Sequence, residues 1–229
     1  MEREQVRQSS VLLGRVLGFI EIADLLSGRK FTYAEIAARI AQRYSFQKFP
    51  SSLEQFDITK GVDFLDGLSS GYAIQKFAIW DTLLVLETNV STKVSQAILE
   101  DILLWGSKDI GLNYKPGSIK RFGYISDVTF FSDAPLLDLH TAVRNVATRT
   151  SKELSRIWQE PVTYEPLTMR VGHDPTARKN AIAPFSIEHR AETKFSENKY
   201  FSEAPLPTDV HWEVLEQFEK DILAVAARG

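Results

Sequence analysis

Hydrophobic positions along this chain follow two different spacings, and each spacing predicts one kind of element. Apolar residues that recur every three or four positions are typical of a helix with one buried side. This spacing predicts helices over residues 33–44, 92–105, 134–158 and 208–226. Alternating positions and short apolar runs are typical of strands. They predict strands over residues 15–24, 44–50, 72–79, 83–89, 118–133, 162–171 and 182–191. Residues 51–71, which contain three glycines, predict irregular structure.

Two of these elements carry further local signals. Thr32 followed three residues later by Glu35 is the pattern of a capping box, which predicts where helix 33–44 begins. Residues 71–90 predict a hairpin that turns at residues 80–82, and one long strand fits the same apolar run.

The predicted helix 134–158 has two different sides. The apolar positions that mark this helix are Leu136, Leu139, Val143, Val146, Leu154 and Ile157. Its basic positions are Arg144, Arg149, Lys152 and Arg156. Cations are favoured near the C-terminus of a helix, so these basic residues predict a solvated surface.

The strands predicted over 162–171 and 182–191 form an antiparallel hairpin with two unlike faces. Successive side chains of a strand point to opposite faces. The apolar face is predicted to carry Leu167, Met169, Val171, Phe185 and Ile187. The polar face is predicted to carry Thr168, Arg170, Ser186, Glu188 and Arg190. An antiparallel sheet with one wet face is expected from this pattern.

The order of elements, β-α-β-β-β-α-β-α-β-β-α, predicts an α+β fold. It fits an antiparallel sheet with helices packed on one face, and it admits two linked ferredoxin-like (split βαβ) units. A short echo between residues 73–78 and 118–123 is in keeping with a repeat. The predicted organisation is an N-terminal α+β half, residues 1–115, and a C-terminal α+β half, residues 116–229, or one continuous domain.

Composition narrows the class of protein. The chain has 229 residues, of which 27 are basic and 30 acidic, and this balance disfavours a dedicated nucleic-acid binder. It has no cysteine, so disulfides, thiolate metal sites and cysteine nucleophiles are absent, and a cytoplasmic location is expected. The polar N-terminus predicts no signal peptide. No apolar stretch reaches about 18 residues, so no membrane span is expected.

Candidate chemistry is sparse. The four histidines, His140, His173, His189 and His211, do not have the spacing of a metal site, and we expect neither a metal nor a cofactor. The sequence contains no GxSxG, P-loop or GxGxxG motif. Asp174 with Glu192 and Lys194 imitates a nuclease motif, but we expect Asp174 at the opposite end of the hairpin. No catalytic residue is therefore predicted, and only an enzyme with dispersed carboxylates stays open.

Two stretches are candidates for binding. The hairpin carries basic residues that predict a phosphate or partner site at Arg170, Arg178, Lys179 and Arg190. Residues 195–209 repeat Phe-Ser-Glu and contain two prolines, which favours a strap packed over the end of the sheet. The alternative is a partner-binding loop that uses Phe195, Tyr200 and Phe201.

These observations favour a non-enzymatic protein–protein interaction or regulatory subunit that self-associates. The alternative is a nucleic-acid or nucleotide-phosphate binding protein, with weak hydrolytic activity, that uses the basic 170–194 hairpin.

Overall fold

A computed structural model of the chain describes residues 6–28, 30–52, 55–174, 176–177 and 182–226. The strands are β1 (Val6–Phe19), β2 (Val62–Ser69), β3 (Tyr72–Trp80), β4 (Leu83–Thr88), β5 (Arg121–Ser132), β6 (Thr168–Val171), β7 (Phe185–His189) and β8 (Lys199–Ala204). The α-helices are α1 (Ile22–Leu26), α2 (Tyr33–Arg43), α3 (Thr92–Asp109), α4 (Thr141–Trp158) and α5 (Thr208–Ala226).

Within the described residues the strands form one antiparallel sheet in the order β2-β3-β4-β1-β5-β8-β7-β6. The predicted α+β class is therefore confirmed. None of the described helices is long and apolar enough to cross a membrane.

The strand order contains a repeat. The run β-α-β-β-β-α occurs once from β1 to α3 and again from β5 to α5, if the short α1 is set aside. In both runs the first strand neighbours the last: the orders are β2-β3-β4-β1 and β6-β7-β8-β5. The sequence echo does not follow this repeat, because residues 73–78 lie in β3 and residues 118–123 enter β5.

The chain divides into two compact units. We call Val11–Ser126 with Pro205–Thr208 the N-unit, and Met1–Ser10, Asp127–Ala204 and Asp209–Gly229 the C-unit. Packing in the N-unit is centred on aromatic rings. Phe46 lies 5.5 Å from Phe64 and 6.5 Å from Phe77 between ring centroids, and all three rings are buried. The α2 capping box is present as predicted, with Thr32 and Glu35 bonded reciprocally.

The prediction for residues 44–71 was wrong in two respects. The strand predicted over 44–50 reduces to a single bridge between Lys48 and Leu65. Strand β2 occupies the stretch predicted to be irregular. Its pattern is hidden because Asp66 adopts φ +58° and is skipped in the pairing with β3, while Gly67 leaves room for the ring of Phe46. The buried positions accordingly change from Val62 and Phe64 before Asp66 to Gly67 and Ser69 after it, so the alternation breaks there.

The C-unit is built around its own buried side chains. Phe130 of β5 packs 5.6 Å from Tyr200 of β8 and 6.3 Å from Trp212 of α5. Ile187 of β7 and Leu215 of α5 are fully buried. These residues show that β5, β7 and β8 share one apolar face, which α5 covers.

Candidate interaction surface

Helix α4 is an amphipathic helix of the C-unit that has no buried residue. It begins where the side chain of His140 accepts a hydrogen bond at Nδ1 from the backbone N–H of Ala142, at 3.1 Å. It ends at Gln159, which adopts the left-handed conformation with φ 56°. The helix therefore starts later than the predicted residue 134, and Leu136, which is fully buried, lies before it.

One side of α4 is largely apolar, and it is exposed except at Thr150 and Leu154, which are partly buried. We call Val143, Val146, Thr150, Leu154 and Ile157 the α4 stripe. At about 100° per residue, these positions fall within an arc of about 80° on the helix. Val143, Val146 and Ile157 are 50%, 65% and 60% exposed. The described residues therefore leave these three side chains largely exposed.

A neighbouring side of α4 is held by the chain that follows it. The hydroxyl of Ser151 accepts a hydrogen bond from the backbone N–H of Tyr164, at 2.8 Å. The hydroxyl of Ser155 accepts another from the backbone N–H of Val162, also at 2.8 Å. These bonds fix residues 162–164 beside the α4 stripe, whose three most exposed residues remain uncovered.

The basic residues of α4 differ in their partners. Arg144 forms a forked pair with the carboxylate of Asp138, and these hydrogen bonds raise the pKa of Arg144. Arg156 lies 3.0 Å from the carboxylate of Glu153 one turn earlier. Arg149 and Lys152 are exposed, and no ion pair of theirs is found within the described part of the chain. The basic side is therefore solvated and only partly neutralised.

The predicted hairpin is present as β6 and β7, which are shorter than expected. Met169 lies opposite Ile187, and Arg170 lies opposite Ser186, so the predicted alternation of faces is confirmed by the register. Ile187 is fully buried, whereas Val171 is 57% exposed although it lies on the same face. The difference arises because β6 is the last strand of the sheet order.

The basic residues of this hairpin are only partly described. Arg170 is exposed on β6, and Arg190 follows β7 and is partly buried. The backbone N–H of Arg190 donates to the carbonyl of Lys199 at 2.9 Å, which extends the ladder by one residue. Arg178 and Lys179 lie outside the described residues. The structure therefore describes two of the four predicted positions, Arg170 and Arg190, and shows no cluster of all four.

Residues 195–209 contain a strand of the sheet and not only the predicted strap or loop. Phe195 lies in a 3₁₀ turn and is 38% exposed, while Phe201 in β8 is partly buried. Tyr200 is 2% exposed, and its hydroxyl accepts a hydrogen bond from the backbone N–H of Leu136 at 3.0 Å. Burial raises the pKa of Tyr200. Of the three predicted contact residues, Phe195 is the most accessible to a partner.

A serine–histidine pair that sequence reasoning missed lies between β8 and α5. The hydroxyl of Ser202 donates to the carbonyl of Ser186 at 2.6 Å, and it lies 2.8 Å from Nε2 of His211. A hydroxyl has one proton, so Nε2 of His211 is the donor to Ser202. Both side chains are fully buried, and a substrate cannot reach them in this structure. The pair is therefore structural.

The C-unit contains a groove of about 500 Å³. Its lining includes Asp138, Glu165, His189, Phe195 and Tyr200. Nδ1 of His189 lies 3.3 Å from the carbonyl of Arg190. Nε2 of His189 is buried, with no hydrogen-bond partner among the described residues. The ring of Phe195 stands edge-on to His189 at 4.9 Å. Because Nε2 is shielded from solvent, it cannot reach a ligand in the groove.

Within the described ranges, no three acidic or histidine side chains lie close enough together to hold a metal ion. The strongest candidate surface is therefore the α4 stripe, which is a contact surface and not a chemical site. A comparison with protein-family models finds no match for the chain, and a comparison with curated proteins finds no significant match either.

Proposed function

We propose that this protein is a non-enzymatic interaction subunit that self-associates through helix α4. The observation that carries the proposal is that an 18-residue amphipathic helix has no buried residue. A helix of this kind gains most of its stability from packing of its apolar side. In the described residues, Thr150 and Leu154 of the α4 stripe are partly buried, whereas Val143, Val146 and Ile157 are at least half exposed. Association is the process that would cover these three side chains.

The exposed residues of the α4 stripe also share one side of the helix. Isolated apolar residues are normal on a protein surface, whereas contiguous exposed apolar patches are typical of interaction sites. Leu139 before the helix and Trp158 at its end are exposed as well.

Sedimentation equilibrium of the full chain, over about two decades of concentration, tests this proposal. We expect a reversible monomer–dimer equilibrium whose midpoint rises when the stripe is made polar. A chain that stays monomeric at every concentration contradicts self-association. If the chain stays monomeric but forms a stoichiometric complex with one purified protein, the surface is assigned to the regulation of that protein.

A second candidate function is binding of nucleic acid or of nucleotide phosphates by the C-unit, with weak hydrolytic activity. The observation that favours it is that basic side chains lie over an aromatic ring. The guanidinium of Arg7 and the ammonium of Lys199 lie 5.7 Å and 5.2 Å from the ring centroid of Phe131. Basic residues interleaved with aromatic rings are typical of single-strand binding surfaces.

Titration of labelled single-stranded DNA and RNA at about 50 mM salt tests this second candidate, because phosphate contacts are strongest at low salt. The candidate predicts binding that weakens steeply with salt and weakens further in Arg170→Glu, on the hairpin, and in Lys199→Glu, beside Phe131. An absence of binding at low salt removes it. A hydrolytic assay with nucleotide substrates tests the accompanying activity.

We also propose that the two repeated runs, β1 to α3 and β5 to α5, are two linked units with the same strand path, each with its helices on one face of the sheet. The supporting observation is that each run places its first strand next to its last. An experimental structure in which residues 6–109 superpose on 121–226 strand for strand supports this relation. Strand paths that do not superpose contradict it.

A further inference from the structure

We propose that a groove in the N-unit binds a small dipolar molecule, which carries an oxyanion (a carboxylate or a phosphate) at one end and an ammonium group at the other. The groove has a volume of about 620 Å³. Ligand sites in proteins commonly have volumes of about 300–1,000 Å³, so the groove has room for a ligand with several functional groups. The proposal is independent of self-association, and it is carried by the charges and the apolar residues that line the groove.

One side of the groove is basic. Residues 113–121, which connect α3 to the first residue of β5, contribute Lys115, Lys120 and Arg121 to the lining. All three side chains are exposed, and none forms an ion pair within the described part of the chain. An oxyanion of a ligand would neutralise this side.

Arg121 has a defined orientation within this basic side. Its guanidinium lies 4.1 Å from the ring centroid of Phe19, which also lines the groove. A guanidinium that stacks on an aromatic ring can still donate two parallel hydrogen bonds from its edge to a carboxylate or a phosphate. We therefore assign Arg121 as the residue that positions the oxyanion.

The α1 side of the groove is acidic. Glu21, the residue before α1, and Asp24 within it line the groove, and both are exposed. The side chain of Glu21 makes no capping hydrogen bond to the helix. Neither carboxylate forms an ion pair with Arg121 or with the two lysines of the basic side. The two sides thus leave their opposite charges unpaired with each other, and a molecule with an ammonium group and an oxyanion complements both.

Apolar side chains and backbone hydrogen bonds complete the groove. Phe19, Ile20 and Leu25 lie among its lining residues and can contact the apolar part of a ligand. The backbone N–H of Asn113 donates to the carbonyl of Leu25 at 2.7 Å, which joins the basic side to α1. The N–H of Ile20 donates to the carbonyl of Thr82 at 3.2 Å. The groove is therefore already formed in the free chain, which lowers the cost of binding.

Two small molecules with the required dipole test the proposal on the full chain. The tripeptide glycyl-leucyl-glycine carries a carboxylate, and phosphoethanolamine carries a phosphate. We titrate each, up to about 10 mM, into isotopically labelled protein and follow the amide signals by NMR, because binding at this strength is weak. We expect saturable shifts at residues 113–121 and in α1. Binding of only one probe supports the site and identifies the oxyanion as a carboxylate or a phosphate.

Variants of the protein and of the probe test the two ends separately. We expect Arg121→Gln to raise the Kd of the bound probe at least about tenfold, because it removes hydrogen bonds to a charged group. Glu21→Gln should raise the Kd of the tripeptide about threefold, and it should leave the Kd of the N-acetylated tripeptide unchanged, because acetylation removes the ammonium group. Arg39→Gln is the matched control. It removes a guanidinium that lies 3.9 Å from the ring centroid of Phe31 and does not line the groove.

The possible outcomes decide the proposal. Saturable shifts at the groove that Arg121→Gln weakens and Arg39→Gln does not are the supporting result. An absence of saturable shifts with both probes overturns the site. Equal affinity for the tripeptide and for its N-acetylated and C-amidated forms overturns the dipolar recognition, as does an equal loss of affinity in Arg121→Gln and Arg39→Gln. The spectrum of each free variant shows whether it is folded, and the modified tripeptides test the charges without any change to the protein.

Discussion

The hydroxyl of Ser202 lies 2.8 Å from Nε2 of His211, and both side chains are fully buried. This contact joins strand β8 to helix α5 through two polar groups that are buried away from water. In an exposed cleft the same two residue types would suggest a nucleophile and its base. Here the serine hydroxyl is already bonded to the carbonyl of Ser186, so the pair connects the sheet with the helix.

We expect Ser202→Ala to lower the free energy of unfolding by about 1–3 kcal/mol, because it leaves Nε2 of His211 buried without this acceptor. Urea denaturation of wild type and variant measures the change. Ser196→Ala, at an exposed position, is the control and is expected to be within about 0.5 kcal/mol of wild type. A Ser202→Ala variant as stable as wild type contradicts the structural role of the pair.

We expect Val146→Asp to weaken self-association at least about tenfold, or about 1.4 kcal/mol, because it puts a charge into the proposed apolar contact. Val146 is exposed in the single chain, so the stability of the monomer is expected to change by no more than about 0.5 kcal/mol. Sedimentation equilibrium and urea denaturation measure the two effects separately.

Thr148→Asp is the matched control for this variant. It introduces the same side chain on the opposite, exposed side of α4, and we expect no loss of association. If both aspartate variants weaken association equally, net charge and not the α4 stripe explains the effect.

We expect Gly14→Ala to destabilise the N-unit by about 2–3 kcal/mol. A Cβ at Gly14 would lie 2.1 Å from the carbonyl oxygen of Val90, and this backbone atom cannot move away cheaply. Gly18→Ala is the comparison, because its Cβ would lie 3.1 Å from the Cδ1 of Ile119, a side-chain atom that can shift. Thermal unfolding of the two variants should place Gly14→Ala well below Gly18→Ala. Equal losses would contradict the close approach at Gly14.

We expect stability to fall as the pH rises above 10.0, the ordinary pKa of tyrosine, in part because of Tyr44. Burial raises the pKa of Tyr44, and so does its hydrogen bond to Asp101 at 2.9 Å. A raised pKa in the folded chain means that its stabilising contribution is complete below the ordinary pKa and is lost at higher pH. Tyr44→Phe should cost about 1 kcal/mol at neutral pH and should show a smaller alkaline loss. Urea midpoints from neutral to alkaline pH test this, and an unchanged alkaline slope contradicts it.

The sequence predicted best those elements whose signals are local. The capping box at Thr32 and Glu35 is present, and the hairpin predicted over 72–79 and 83–89 is β3 and β4. In these cases the start of a helix or the turn between strands is determined by residues close in sequence. The same holds for the alternation of faces between β6 and β7.

Elements that depend on distant neighbours were missed. The alternation of strand β2 breaks at Asp66, where φ is positive, and β8 has only six residues, so neither shows a long alternation. Periodicity also identified the apolar side of α4 without indicating what would cover it. The burial of Tyr200 and the pairing of Ser202 with His211 depend on contacts with β5 and α5, which spacing along the chain does not encode.

Strand β6 occupies one rim of the sheet with only four residues. At the other rim, β2 is bridged by Lys48, whose backbone carbonyl accepts from the N–H of Leu65 at 2.8 Å. Short or bridged rims offer little unpaired backbone to which a foreign strand could add. These rims therefore disfavour growth by strand addition, and we expect any contact between copies of the protein to use side chains.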